Sequence, residues 1–193
     1  GPNTGGMGAY SPAPVITEEL EKVVLERIMK PAVRALKSEG IKYKGILYAG
    51  LMIDNGQPSV LEFNCRLGDT ETQPLLSRLQ TDFMDIAMAI TGEKLSEINI
   101  EWKNDPAVCV VISSEGYPGK YRKGDVITGV DEANKLEDVY VFHAGTAFSD
   151  KSIVTSGGRV LGVTATGRDI EDAKHKVYEA VGKIHFAGMH YRK

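Results

Sequence analysis

Residues 61–73, which read LEFNCRLGDTETQ, begin as a β-strand with one polar face. Glu62, Asn64 and Arg66 occupy alternate positions, and alternate side chains of a strand point to the same side. The residues between them are expected to form the opposite face and to pack against helices: Leu61, Phe63, Cys65 and Leu67. The segment therefore raises the question of what its polar face binds.

The donor atoms of this face suit a hard cation. Mg²⁺ prefers oxygen ligands and usually keeps waters and substrate phosphates in its shell, so the Glu62 carboxylate and the Asn64 amide would leave positions open for a nucleotide. Arg66 on the same face could clamp a transferring phosphoryl group or an acyl phosphate. The spacing alone, however, fits a half-exposed strand facing water better than it fits a metal site.

The composition argues against several classes of function. The chain has 193 residues, 42% of them hydrophobic and 25% charged, with a net charge of −3. Without a basic block, nothing favours binding to nucleic acid or to an anionic membrane, and no apolar run approaches the ~20 residues of a membrane span. Cys65 and Cys109 form no ligand-spaced cluster, so we predict free thiols and a cytoplasmic location.

The sequence predicts two long helices in the first half of the chain. Residues 1–14 are rich in Gly and Pro and are expected to form a loop. The first helix should begin at Thr17, which can cap it, and end at Gly40, with Pro31 kinking or splitting it. The second should run over residues 71–91 with apolar side chains around most of its circumference.

The rest of the pattern is mainly β. The run KGILYAGLMI (44–53) suits a central strand, and Asp54-Asn55-Gly56 is a strong turn signal before a return strand from Ser59 to about Arg66. Later segments predict three strands and a final helix capped by Asp169: 107–114, 139–148, 159–167 and about 170–184. The fold class is therefore α+β.

A polar segment, IEWKNDP (100–106), predicts a linker and places a domain boundary near residue 103. The chain would then divide into residues 1–102 and 103–193. It does not begin with Met, and it opens on a glycine-rich loop with no element before it. We therefore expect it to be a piece of a longer protein.

Four segments carry a resemblance to a known family. EFNCRLGDTETQ resembles the metal-binding strand of ATP-grasp ligases, in the form found in the glycinamide ribonucleotide synthetase family. GPNTGGMGAYSPAP resembles the substrate loop of that family, and GILYAGLMID and EGYPGKYRKGDVITG also fit. The resemblance implies an incomplete C-terminal ATP-grasp subdomain over 1–102, a small β-rich C-terminal domain with a terminal helix over 103–193, and a missing N-terminal part of the same protein.

The resemblance also implies an activity. Members of the family use ATP to phosphorylate the carboxylate of glycine, and the amine of 5-phosphoribosylamine then attacks the glycyl phosphate. The products are glycinamide ribonucleotide, ADP and phosphate, in de novo purine biosynthesis. We expect the 193-residue chain to be inactive alone.

Roles for individual residues follow from the resemblance. Glu62 and Asn64 match the metal ligands, for Mg²⁺ or Mn²⁺, and Arg66 matches the catalytic arginine. A further acidic ligand on the facing strand is not expected, because an uncharged residue stands near Tyr48. LGDTE replaces the familiar FGDPE, so Thr70 stands for Pro and loosens the turn that carries two expected substrate-binding residues, Asp69 and Glu71.

The glycine-rich loop is expected to bind substrate through its backbone N–H groups, which glycines allow to approach an anion closely. The residues concerned are Asn3, Thr4, Gly5, Gly6 and Gly8. Without the resemblance, a flexible connecting loop would be the better interpretation. In the 103–193 segment, His143 is expected to be structural and Arg159 a solvated residue at a turn exit.

Two other interpretations remain at this point. The chain could belong to a different ATP-grasp carboxylate–amine ligase or to a biotin-dependent carboxylase, although NTGGMGAYSPAP and GDTETQ argue against this. It could also be a non-catalytic fragment or module that holds only half of a site.

Overall fold

The computed structural model describes residues 4–193 as a mixed helix and sheet protein, which confirms the α+β class. Its segments form two compact units that alternate along the chain. The sheet unit comprises the chain up to Ser11, Asp69–Arg78 and Lys103–Lys193, and the hairpin unit comprises Pro12–Gly68 and Leu79–Trp102. The domain boundary predicted near residue 103 stays a prediction.

The strands are β1 Gly8–Ser11, β2 Tyr48–Asp54, β3 Gln57–Asn64, β4 Ala107–Ser113, β5 Val139–His143, β6 Thr146–Ser149, β7 Ser152–Thr155 and β8 Arg159–Thr166. The α-helices are α1 Glu18–Val24, α2 Lys30–Ser38, α3 Thr72–Arg78, α4 Phe83–Thr91, α5 Val130–Asn134 and α6 Ile170–Val181. A π-helical turn, Leu25–Met29, joins α1 to α2, and a 3₁₀ turn spans Leu95–Glu97. Within residues 4–193, no helix has the length and apolarity needed to cross a bilayer.

The sheet unit is built on four antiparallel strands in the order β1-β4-β8-β5. Helix α6 packs on β4 and β8, and its buried positions, Ala173, Val177, Ala180 and Val181, have helical spacing. Asp169 caps this helix as predicted, because its carboxylate accepts a hydrogen bond from the Asp172 N–H. The apolar core thus fixes β8, one of the two inner strands, which carries Arg159.

The prediction of a loop over residues 1–14 is wrong for β1, which pairs with β4. A Cβ on Gly8 would lie 2.9 Å from the Cys109 carbonyl oxygen, so glycine permits the close approach of the two strands here. The predicted strand 139–148 is also wrong as a single element. It divides into β5 and β6, because Gly145 turns back and donates its N–H to the Arg159 carbonyl.

The hairpin unit confirms several local predictions. Thr17 caps α1 by accepting a hydrogen bond from the Leu20 N–H, and Gly40 follows α2 with a φ of +77°. The π-helical turn ends at Met29, two residues before Pro31. The irregular backbone hydrogen bonding therefore falls where proline lacks the N–H that a regular helix would use. The turn between β2 and β3 has positive φ angles of 47° at Asn55 and 74° at Gly56, as hairpin turns of this sequence require.

The single helix predicted over residues 71–91 is wrong. The segment contains α3 and α4, separated by residues whose backbone bonds elsewhere: the Gln80 N–H donates to the Glu101 carbonyl. Asp82 then begins α4 by accepting a hydrogen bond from the Met84 N–H. The sequence pattern missed this break because Leu79 and Phe83, four residues apart, keep the helical spacing of apolar positions across it.

Candidate functional site

The first group of candidate residues lies at the end of β3 in the hairpin unit. Glu62 Oε1 accepts a hydrogen bond from Asn64 Nδ2 at 2.9 Å, so the two side chains lie side by side on one face of the strand. Leu61 is an extra residue in the pairing with β2, because Glu62 pairs with Gly50 while Val60 pairs with Leu51. This bulge precedes the pair and leaves the alternation from Glu62 to Asn64 intact.

Strand β2, which pairs with β3, leaves room for the side chains of Glu62 and Asn64. A Cβ on Gly50 would lie 3.0 Å from Glu62 Cγ, so a side chain there would press on the carboxylate stem. Tyr48 stands opposite Asn64, at the place where the sequence predicts an uncharged residue.

The donor set of this face fits a hard divalent cation. A carboxylate and an amide each offer an oxygen, which is the ligand type that Mg²⁺ and Mn²⁺ accept. The Asn64 amide presents its nitrogen to Glu62 in this arrangement, so a cation would require the amide to turn and present Oδ1 instead. Within residues 4–193, no three His, Cys, Asp or Glu side chains are grouped to hold a metal.

Arg66 follows the end of β3 and is exposed. Its guanidinium donates to the carbonyl of the adjacent Leu67 at 2.9 Å, a local contact that leaves most of its donors available. The expected packing of the opposite face is wrong in this chain, because Leu61 is 64% exposed and Phe63 is 44% exposed. Cys65 is exposed as well.

The second group of candidate residues lies in the sheet unit, where the glycine-rich loop meets Asp69. Arg159 Nη2 is 2.6 Å from Asp69 Oδ2, and Arg159 Nη1 donates to the Gly6 carbonyl at 3.1 Å. The Gly5 N–H donates to the Tyr117 hydroxyl at 3.0 Å. Arg159 is therefore a partly buried residue that holds the loop and Asp69 together, and its expected role as a solvated arginine is wrong.

Two glycines allow the loop to lie close to this arginine and to Asp69. A Cβ on Gly5 would lie 2.8 Å from Arg159 Cζ, and a Cβ on Gly6 would lie 2.9 Å from the Asp69 carbonyl oxygen. Thr4, which precedes them, is partly buried. Asn3 lies outside the described residues, so its expected role stays a prediction.

The remaining predicted residues take up other positions in the sheet unit. Gly8 is the first residue of β1, and the carbonyl of Glu71 accepts a hydrogen bond from the Leu75 N–H at the start of α3. His143 ends β5, is exposed, and lies 3.0 Å from the Thr146 hydroxyl through Nδ1.

A cavity of about 350 Å³ opens beside Asp69 and Arg159 within the sheet unit. Its remaining lining comes from the turn before α3, from α3 itself, from β4, from the turn after β5, and from β8: Thr70, Gln73, Val111, Ala144, Gly145, Leu161 and Gly162. Sequence reasoning missed this cavity, because its walls come from segments as far apart as residues 69 and 162.

Comparison with known proteins identifies the family. Residues 1–72 match the family model described as phosphoribosylglycinamide synthetase, ATP-grasp (A) domain, and residues 107–193 match the model for the C domain of the same synthetase. The chain belongs to the phosphoribosylglycinamide synthetase family. Glu62, Asn64, Asp69 and Arg66 all fall within the segment matched by the ATP-grasp model, whereas Arg159 and Tyr117 fall within the C domain.

Individual members of the synthetase family match the whole chain. It is 50% identical over 193 residues to a phosphoribosylamine–glycine ligase of Caldanaerobacter subterraneus subsp. tengcongensis and 49% identical over 195 residues to one of Escherichia coli O157:H7. These alignments cover 100% of this chain but 46% and 45% of the two relatives. The chain thus spans less than half the length of the curated relatives it matches.

The crystal structure of the phosphoribosylamine–glycine ligase from Thermotoga maritima matches the fold with a TM-score of 0.85 at 38% identity, covering 100% of this chain and 46% of that one. N5-carboxyaminoimidazole ribonucleotide synthetase from the same organism matches with a TM-score of 0.63 at 19% identity, over 93% of this chain and 45% of that one. The second match shows a shared fold only.

Proposed function

We propose that this chain forms part of an ATP-dependent carbon–nitrogen ligase that joins glycine to 5-phosphoribosylamine. The observation that carries the proposal is the 50% identity over all 193 residues to a relative named phosphoribosylamine–glycine ligase. The side-by-side carboxylate and amide of Glu62 and Asn64 support it, because such a pair is suited to a cation that accompanies nucleotide phosphates.

The reaction would proceed in two balanced steps. A carboxylate oxygen of glycine attacks the terminal phosphorus of ATP, which forms glycyl phosphate and releases ADP. The amine nitrogen of 5-phosphoribosylamine then attacks the carbonyl carbon, the bond from that carbon to the phosphate oxygen breaks, and the nitrogen loses a proton. The products are glycinamide ribonucleotide and inorganic phosphate, as de novo purine biosynthesis requires.

The residues of this chain would contribute binding and charge. Glu62 and Asn64 would hold Mg²⁺ or Mn²⁺, which when bound neutralises charge on the nucleotide phosphates. Arg66 is exposed at the end of the same strand, and its guanidinium would stabilise negative charge on the transferring phosphoryl group.

The second group of candidate residues, in the glycine-rich loop and around Asp69, would bind substrate. Its members are Asn3, Thr4, Gly5, Gly6, Gly8, Asp69 and Glu71. Among the described members, Gly5, Gly6 and Asp69 are fixed by Tyr117 and Arg159, which supports a preorganised role. The two free cysteines support a location in the cytoplasm.

The test measures glycine-dependent release of ADP and phosphate by the complete ligase that contains this chain. The proposal predicts release that requires both glycine and an amine acceptor, and formation of glycinamide ribonucleotide when the acceptor is 5-phosphoribosylamine. Release with a different carboxylate but not with glycine would instead indicate another ATP-grasp ligase. The 193-residue chain alone is the matched control, and we expect it to show no turnover.

A further inference from the structure

The turn EGYPG (115–119), which follows β4, presents a tyrosine to the glycine-rich loop. The Tyr117 hydroxyl accepts a hydrogen bond from the Gly5 N–H at 3.0 Å, although 112 positions separate the two residues. The turn is closed by the Gly119 N–H, which donates to the Gly116 carbonyl at 2.7 Å. Tyr117 therefore reaches the loop from a hydrogen-bonded turn of the sheet unit.

The ring of Tyr117 packs on the turn that precedes β8. A Cβ on Gly158 would lie 2.3 Å from Cδ2 of Tyr117, so the ring lies directly against the backbone there. The Ser114 N–H donates to the Gly158 carbonyl at 2.8 Å, and the Ser114 hydroxyl donates to the Gly157 carbonyl at 3.0 Å. Tyr117 and Arg159, the two side chains that bond to the loop, thus come from turns that are bonded to each other.

These two side chains hold the loop on either side of one peptide. Tyr117 binds the Gly5 N–H, and Arg159 Nη1 donates to the Gly6 carbonyl at 3.1 Å. Peptide units are planar, so anchoring the unit before Gly5 and the unit after Gly6 restricts the directions of the N–H and C=O groups between them. Glycine has more backbone freedom to lose on ordering than any other residue. A pair of glycines therefore needs such anchors to keep one orientation.

We propose that Tyr117 is a positioning residue of the ligase, whose hydroxyl orders the glycine-rich loop before substrate binds. The inference rests on the proposed function, in which this loop binds substrate. A loop that is ordered in advance loses less conformational entropy on binding, so Tyr117 raises affinity without touching the substrate. The turn EGYPG of the C domain would in this way control a loop that belongs to the ATP-grasp domain in sequence.

The test uses steady-state kinetics of the complete ligase, with ATP, glycine and 5-phosphoribosylamine varied in turn. Tyr117→Phe removes the hydroxyl and keeps the ring that packs on Gly158. We expect KM for one substrate, the one that the loop binds, to rise about fivefold, as the loss of one hydrogen bond implies. The value of kcat and the melting temperature should stay unchanged, because the hydroxyl contacts neither the reacting atoms nor the core.

A loop variant identifies which substrate is concerned. A Cβ on Gly6 would lie 2.9 Å from the Asp69 carbonyl oxygen and 3.0 Å from Thr70 Oγ1, so Gly6→Ala displaces the loop directly. It should raise KM for the same substrate as Tyr117→Phe. The double variant should raise that KM by less than the product of the two single effects, because Tyr117 acts only through the loop.

Tyr121→Phe is the matched control. The Tyr121 ring also lies against Gly158, 3.0 Å from the position of a Cβ there, but within residues 4–193 its hydroxyl makes no hydrogen bond to the loop. The control should leave every KM unchanged. Hydrogen–deuterium exchange over residues 4–11 should be faster in Tyr117→Phe than in the control, because the Gly5 N–H loses its acceptor.

The outcomes separate this inference from the proposed function. An active ligase in which Gly6→Ala raises one KM and Tyr117→Phe raises none would overturn the role of Tyr117 alone, as would fully multiplicative effects in the double variant. If Gly6→Ala changed no KM, the loop would not bind substrate, and the inference would fall with that part of the proposal. Absence of glycine-dependent turnover in the unsubstituted ligase would overturn the proposed function itself.

Discussion

The guanidinium of Arg159 and the carboxylate of Asp69 lie 2.6 Å apart although 90 positions separate the two residues in the sequence. The same guanidinium donates to the Gly6 carbonyl, so one side chain ties together the glycine-rich loop, the turn before α3 and the first residue of β8. Because Arg159 is only 24% exposed at its side chain, this contact is partly shielded from solvent.

Arg159 and Asp69 should therefore show energetic coupling. We expect Arg159→Met and Asp69→Asn each to lower the free energy of unfolding, and the double variant to lose less than the sum, with a coupling energy of about 1 kcal/mol. The estimate is modest because Asp69 is 57% exposed at its side chain. Urea denaturation of the four proteins measures the coupling, and additive losses would show that the contact does not contribute.

Glu93 should give the hairpin unit a measurable dependence on pH. Hydrogen bonds from Lys42 and then Lys44, with the attraction of both ammonium groups, lower the pKa of Glu93 from 4.5 to about 2. A lowered pKa in the folded state stabilises the fold above pH 4.5, and this contribution is lost as the pH falls through about 2.

Thermal unfolding of the unsubstituted chain and of Glu93→Gln, followed between those pH values, tests this expectation. The difference in stability between them should be constant above pH 4.5 and should close on acidification. It should also shrink in high salt, because all three groups are exposed. A difference that is unchanged at pH 2 would contradict the assigned cause.

Gly129 is predicted to be the more sensitive of two glycines that have positive φ angles in the sheet unit. Gly124 and Gly129 have φ values of +89° and +83°, but a Cβ on Gly129 would lie 1.8 Å from the Lys183 carbonyl oxygen, while Gly124 has no atom within 4 Å. Gly124→Ala should cost about 1–2 kcal/mol from backbone strain. Gly129→Ala should cost about 3 kcal/mol or more, because the backbone must also move.

Chemical denaturation of the two alanine variants compares these costs directly. Gly124→Ala acts as the control for strain without a clash. Equal losses of stability in both variants would mean that the close approach of residue 129 to Lys183 is absent in solution.

Glu62 and Asn64 should govern binding of metal-bound nucleotide. In calorimetric titration of the complete ligase with Mg²⁺–ATP, we expect Glu62→Ala combined with Asn64→Ala to weaken binding by about tenfold or more. Asp54→Asn, which changes an exposed acidic residue at the other end of the same hairpin, is the matched control and should bind normally. Equal binding by the double variant and the control would show that Glu62 and Asn64 of β3 do not hold the metal.

Local signals in the sequence predicted much of the hairpin unit. The Thr17 cap, the Gly40 stop and the Asn55-Gly56 turn each depend on a few adjacent residues whose backbone preferences are strong, and the structure has all three. The alternation that places Glu62 beside Asn64 is equally local.

Contacts between distant segments could not be predicted in this way. Strand β1 is held by its pairing with β4 and not by β propensity in the segment GAYS, which begins with glycine. The break between α3 and α4 depends on the hydrogen bond from the Gln80 N–H to the Glu101 carbonyl. The cavity beside Gly162 is lined by Gln73 and Arg159, which are distant from each other in the sequence. Nothing near Arg159 in the sequence indicates that it meets Asp69.

Transfer of oxygen from glycine to phosphate tests the proposed ligase chemistry most directly. The complete ligase would be supplied with ATP, 5-phosphoribosylamine and glycine labelled with oxygen-18 in both carboxylate positions, and the released phosphate would be analysed by mass spectrometry. The proposed glycyl phosphate predicts that each released phosphate carries one labelled oxygen, because the carboxylate oxygen leaves with the phosphoryl group. Unlabelled phosphate, formed together with glycinamide ribonucleotide or without it, would contradict the proposed mechanism.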